Sequence, residues 1–343
     1  MASSRLAAYL AHCPVPLDPH HKARIKPTTM KEYKRQTARF VNWLDGRGYA
    51  WDEFWELDLF IVFYKQSNLA AVSKGDFQTL VAAIEFAMPP VKGHLAWTHA
   101  ALEGWGVAEG VRHTIPLPDP LMLVIAATWW TAGRPRIGMG IAIQKRTGLR
   151  PSELLALRAR DILLPEDIPG HHYRSGLLSL GTRTGTKSKR VQSTVLPEGS
   201  LELEMARRLR LGLQPDDLVF GGFGYSQMAS LLKVTFELHH LLPFRPHSPR
   251  AGFATDAHLA GWEFSRIRES LRQQNDKSLR IYLDAVAAYA ALTSTDAAKW
   301  GSYARLLEPA FWEMLATGVL TLPPGPAADR IQSVASSLQS RRS

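Results

Sequence analysis

The stretch Val111–Pro120 (VRHTIPLPDP) carries three prolines in ten residues. Each proline lacks the backbone N–H that helices and sheet ladders use, and each pushes the residue before it into an extended conformation. No regular element runs through such a segment, so it reads as an interdomain linker and the chain as two parts. The 343 residues suffice for two domains of ordinary size.

Upstream of the linker the apolar residues recur at helical spacing. A helix is expected from Thr29, with Glu32 three residues on in a capping-box pattern. Tyr33, Thr37, Phe40, Val41 and Leu44 form its inward stripe, and Gly46 ends it. Lys31, Lys34, Arg35 and Arg39 make a basic face on its other side. Further helical patterns run at about 51–66, 76–88 and 94–105, so residues 28–115 read as a helical domain preceded by an irregular basic arm, 1–27.

Downstream, Asp119 can cap a helix that has Pro120 at its first position. Apolar helices are expected near 120–131 and 136–146. The period then changes. Asp161–Leu164, Gly176–Gly181 and Arg190–Leu196 are short β-rich runs separated by turn residues. Helices return from about 198 to 319, and the tail, Pro323–Ser343, is rich in Pro, Ser, Ala and Arg and is expected to be disordered. The expected fold class is therefore mainly α with a small antiparallel β-sheet, in two domains, the second spanning 119–305 and followed by a C-terminal helix and tail over 306–343.

The chain's charge is uneven. The formal net charge is +10, and residues 134–190 alone hold 12 Lys or Arg against 4 Asp or Glu. Such an excess suits a polyanion, with nucleic acid ahead of an anionic membrane surface. No window approaches the roughly 18 consecutive apolar residues of a membrane span, and the N-terminus lacks a signal-peptide apolar region. Cys13 is the single cysteine, so no intrachain disulfide can form, which fits a reducing, intracellular location.

The segment with most chemistry is Thr147–Ile162 (TGLRPSELLALRARDI). Gly148 ends one helix, Pro151 starts the next, and Leu154, Leu155 and Leu157 pack inward, leaving Arg150 at a helix entrance where its guanidinium can grip a phosphate. Further on, HSPRAGFATDAHLAG places His247 and Arg250 three apart on one face, 97 residues after Arg150. SLRIYLD then places Tyr282 35 residues after His247. The doublets His20-His21, His171-His172 and His239-His240 diverge on a strand or helix, and no Asp/Glu/His cluster has metal-ligand spacing.

These boxes resemble the tyrosine recombinase (phage integrase) family, whose first catalytic Arg lies in a T-G-L-R-x-S-E-L run and whose second lies in an H-x-x-R box. The resemblance covers roughly 120–290 and is architectural over 25–115. It implies a site-specific recombinase or integrase of the kind mobile elements carry, with Arg150, His247, Arg250 and the nucleophile Tyr282 as catalytic residues and Glu153 supporting the site. Tyr289, one heptad on, reads as a core residue. The general acid of the family is a Lys on the turn between the second and third strands. Lys187 fits that turn, with Lys189 close by and Arg183 where a T-K-T pattern would put the Lys. Gln273 stands where the family usually carries His or Trp, nine residues before the nucleophile.

The resemblance further implies a clamp on double-stranded DNA, with Lys31, Lys34, Arg35, Arg39, Arg183, Lys189 and Arg190 as DNA contacts. No cofactor and no metal are expected, nor is a membrane partner. A homotetramer on the DNA is implied, with the C-terminal segment, including Trp300, Trp312 and Leu315, docking on a neighbour. Two other readings share the residues: a type IB topoisomerase-like enzyme, and a non-catalytic DNA-binding protein derived from a recombinase.

Overall fold

A computed structural model describes residues 25–109, 114–167, 174–180, 192–273 and 298–341. The chain divides into two compact units, Met1–Arg112 and His113–Ser343. Among the described residues no helix is long and apolar enough to cross a membrane.

The smaller unit is helical: α1 (Pro27–Arg47), α2 (Phe54–Ser67), α3 (Lys74–Ala87) and α4 (Ala96–Glu109). Phe40 and Leu44 of α1, Leu57 and Ile61 of α2, and Phe77 and Ile84 of α3 interlock in one core. Asp58, buried in α2, accepts hydrogen bonds from the backbone N–H groups of Trp97 and Thr98, both 2.8 Å, and so fastens the first turn of α4. The expected start of α1 at Thr29 is corrected. The helix begins at Pro27, whose fixed φ and missing N–H suit the first position, and Lys26 is its cap. Glu32 forms no capping box but pairs with Arg35 at 2.5 Å and accepts from Gln36, a charged partner outcompeting a backbone N–H.

The larger unit is built on α5 (Asp119–Thr131) and α6 (Pro135–Thr147), an antiparallel pair. Every residue from Leu121 to Trp129 on α5 is buried, so this helix is surrounded rather than half-exposed. A short helix α7 (Pro151–Leu155) leads into the three-stranded antiparallel sheet β1 (Ile162–Leu163), β2 (Gly176–Ser179) and β3 (Ser193–Leu196). Leu178 pairs with Ile162 on one side and Thr194 on the other, and the alternation along β2 puts Gly176 and Leu178 inward. Then come α8 (Leu201–Arg210), α9 (Tyr225–His239), α10 (Ser248–Leu259) and α11 (Phe264–Ser270). Residues 298–317 form α12.

Two C-terminal expectations are corrected. The tail is not disordered: Pro326–Ser340 is a helix, α13, that packs on α5 and α9. Its Ile331, Val334, Ala335 and Leu338 follow i, i+3, i+4, i+7 spacing and are buried, a stripe that the surrounding Ser, Ala and Arg obscure. Trp300, expected to dock on a neighbour, is buried in its own chain's core, with its ring 5.6 Å from that of His239.

Candidate active site

The site begins where α6 stops. Gly148 lies at φ 64°, in the left-handed region that a Cβ penalises, and a Cβ there would sit 2.8 Å from Leu271 and 2.9 Å from Phe253. Only glycine fits that turn. Leu149 is then buried, and Arg150 emerges in extended backbone as the cap of α7, with Pro151 behind it. Glu153 folds back over the turn. Its Oε2 accepts from the Arg150 backbone N–H at 2.8 Å, and its Oε1 accepts from Arg150 Nη1 at 2.5 Å.

The second box is bolted to the first. The buried Gln144 of α6 donates from Nε2 to the carbonyl of Leu149 at 3.3 Å and to that of Pro246 at 2.9 Å. His247 caps α10, and Arg250, one turn in, is buried. Arg250 Nη1 donates to the Gly148 carbonyl at 2.5 Å, and Nη2 donates to the Leu271 carbonyl. The start of α10 approaches closely because Gly252 has no side chain. A Cβ there would lie 2.1 Å from the Leu117 carbonyl oxygen.

Electrostatics tie His247 to the same cluster. Burial pushes its pKa below the ordinary imidazole value, and the positive charges of Arg250 and Arg150 add to that, with Glu153 acting the other way. The imidazole is thus neutral near pH 7 and can accept a proton. Burial pushes the Glu153 carboxyl up, but the Arg272 guanidinium and the hydrogen bonds and charge of Arg150 outweigh it and hold the group below its usual range.

The structure therefore brings together Arg150, Glu153, His247 and Arg250. Gln273 lies beside them, just past α11, with its side-chain oxygen buried and without a hydrogen-bond partner among the described residues. Tyr282, Tyr289, Arg183, Lys187, Lys189 and Arg190 lie outside the described residues. In the smaller unit Lys31 and Lys34 are exposed, Arg35 pairs with Glu32 and Asp76, and Arg39 donates to the Ala71 carbonyl. Part of the basic 134–190 segment faces inward. Lys145 bridges Asp119 and Asp256, Arg146 pairs with Asp119, Glu202 and Glu308, and Arg136 donates to the carbonyls of Leu209 and Val219. Among the described residues no group of three or more His, Cys, Asp or Glu could hold a metal ion.

This architecture has counterparts among solved structures. The Tn1549 transposon integrase, in complex with a circular-intermediate DNA, superposes with a TM-score of 0.54 at 17% identity, over 82% of this chain and 95% of that one. The XerH site-specific recombinase, bound to a palindromic difH substrate in a post-cleavage complex, gives 0.52 at 14% identity, over 78% of each chain. The chain has a tyrosine recombinase fold. No family model matches the sequence, and no curated protein does.

Within this tyrosine recombinase fold, two residues stand at the site that sequence reasoning passed over. Arg272, next to Gln273, pairs with Glu153 at 2.9 Å. Its signal was slight, a cation in the run SLRQQND. Tyr225, first residue of α9, has its ring 6.4 Å from that of His247 and is half-exposed. Nothing in the sequence marks it beyond the glycine-rich turn before it.

Proposed function

We propose that the protein cuts and rejoins double-stranded DNA through a 3′-phosphotyrosyl intermediate on Tyr282. The observation that carries this reading is the meeting of Arg150, Arg250 and His247, from two boxes about a hundred residues apart, around the Gly148 turn. Two guanidinia beside a neutral imidazole suit a phosphodiester whose charge grows on its non-bridging oxygens as it reacts.

In the reaction, the Tyr282 oxygen attacks phosphorus and its proton passes to His247. The bond to the 5′-oxygen breaks, and Lys187 gives that oxygen a proton. Arg150 and Arg250 hold the phosphate and supply positive charge that a metal ion supplies in other phosphoryl-transfer sites. A 5′-hydroxyl from the exchanged strand reverses the steps and releases the tyrosine. Exchange between two duplexes uses four nucleophiles, hence a homotetramer on DNA. On α12, Trp312 remains 37% exposed as a side chain for a neighbour to cover. Lys31 and Lys34, exposed on α1, add contacts to the DNA backbone.

A nicked duplex, which loses its short leaving strand after cleavage, traps the covalent intermediate. The wild-type chain is expected to form the adduct, and Tyr282→Phe to form none while binding DNA as before. An adduct that persists in Tyr282→Phe, or that maps to Tyr289, overturns the assignment. The second reading, a non-catalytic DNA-binding descendant, draws on the Arg250 donors being spent on backbone carbonyls. It is accepted if the wild-type chain binds the nicked duplex and yields no adduct.

A further inference from the structure

Arg272 occupies an unfavourable place. Its φ is 54°, and only His240 shares a positive φ among the described non-glycine residues. The cause is the end of α11. The Arg272 N–H donates to the Glu269 carbonyl at 2.8 Å and the Gln273 N–H to the Arg268 carbonyl at 3.1 Å, a helix stop whose left-handed residue is ordinarily glycine. A helix stop alone would be served better by glycine, so the reason for arginine lies in its side chain.

That side chain is 95% buried, and it reaches back into the first box. Nη1 donates to Ser270 O at 2.9 Å, and Nη2 donates to Glu153 Oε2 at 2.9 Å and to the Gly148 carbonyl at 3.3 Å. The left-handed backbone turns the residue's own carbonyl toward Arg150, whose Nη2 donates to it at 3.2 Å. Arg272 thus grips Glu153 with its side chain and Arg150 with its main chain.

We propose that Arg272 is a positioning residue of the active site: it keeps Glu153 paired and Arg150 aimed, so that Arg150 can exchange Glu153 for a DNA phosphate without leaving a buried carboxylate alone. This rests on the recombinase reading. Without such a partner, transfer of the Arg150 guanidinium to phosphate would leave Glu153 buried and charged, at a cost charged against DNA cleavage. The titratable and charged groups around Glu153 are Arg150 at the cap of its own helix, Arg272 after α11, and the neutral His247 at the cap of α10, with Arg250 joined to them through the Gly148 carbonyl.

Arg272→Gly is the informative variant, because glycine suits φ 54° and the helix stop survives. Single-turnover adduct formation on the nicked duplex, measured on the folded molecules, is expected to slow about tenfold or more, with DNA affinity near wild type. The Glu153 carboxyl, followed by NMR titration in the DNA-free protein, is expected to rise by about one unit or more on losing its cationic partner. Arg272→Lys should restore part of both. In a Glu153→Gln background, Arg272→Gly should add little, since no carboxylate then needs pairing. An unchanged Glu153 titration, or a full additive loss in the Glu153→Gln background, overturns the inference. Absence of an adduct from the wild-type chain overturns the recombinase reading itself, and the titration still tests the pairing.

Discussion

Two clusters of cations begin within five residues of each other in the sequence, at Lys145 and at Arg150, and they are built on opposite plans. At the end of α6, Lys145 and Arg146 are matched by Asp119, Asp256, Glu202 and Glu308. One turn further, Arg150 and Arg272 share a single carboxylate, Glu153, and their other donors go to the backbone carbonyls of Gly148, Ser270 and Arg272, while Arg250 donates beside them to the carbonyls of Gly148 and Leu271. A carbonyl satisfies a donor without cancelling its charge. The first cluster is therefore electrically closed and serves the packing of α5, α6 and α10, whereas the second keeps an excess of positive charge that an anion can complete. Counting charges along the chain does not separate the two; pairing does.

Ionic strength gives the coarsest test of which charges are unspent. With about 6 to 10 phosphate contacts, affinity for duplex DNA should fall by roughly 10³ to 10⁵ between 50 and 200 mM salt. A nearly flat dependence, measured by titration at several salt concentrations, would mean that the excess serves another purpose. A narrower test concerns the proton for the leaving oxygen. Lys187→Ala should slow cleavage by about 10² to 10⁴ on ordinary DNA and recover on a substrate with sulfur in place of the bridging oxygen, which needs no proton. Rescue confined to Lys189→Ala would move the role two residues on, and Arg183→Ala serves as the control.

The contrast itself is tested by one substitution on each side. Arg150→Ala should lower the single-turnover rate by about 10² to 10³, as loss of one charge-stabilising donor does. Lys145→Met should leave the rate of the folded molecules near wild type and instead reduce stability by about 2 kcal/mol in denaturant unfolding. That is less than for a wholly buried pair, because Asp119 and Asp256 remain 40% and 46% exposed. If the two outcomes were exchanged, the distinction between closed and open clusters would be wrong.

The smallest effect is one of pH. The folded pKa of His247 is depressed below its unfolded value, first by burial and then by Arg250 and Arg150. The neutral, proton-accepting form therefore survives below the ordinary imidazole value of about 6.5, and it is lost only as the pH falls through the lower, folded value. The acid limb of the cleavage profile should lie beneath 6.5 and move upward when Arg250 is replaced by Gln.

Much of this was legible in the residues. The α-rich fold with its small antiparallel sheet follows from the period change after Asp161, and the turn around Arg150 follows from Gly148 and Pro151, whose backbone preferences are strong and local. What escaped depends on tertiary contacts. Arg272 in a left-handed cap contradicts the glycine expected there, and only its bond to Glu153, over a hundred residues back, accounts for it. Helix α13 hides a four-residue stripe inside a composition that resembles disorder, and its stability comes from the groove between α5 and α9. The inward-facing Lys145 and Arg136 read as surface charges because net charge carries no information about partners.

The junction at Leu117 has a mechanical consequence. Its N–H is bonded to the Ser248 carbonyl at 2.9 Å, and its own oxygen is seated where a side chain on Gly252 would have been. The end of the proline-rich tether is thus riveted to the helix that carries Arg250, at the residue following His247. The segment from Leu117 onward therefore cannot shift without moving α10, so within the larger unit the position of Arg250 is set partly by a stretch of chain more than a hundred residues before it.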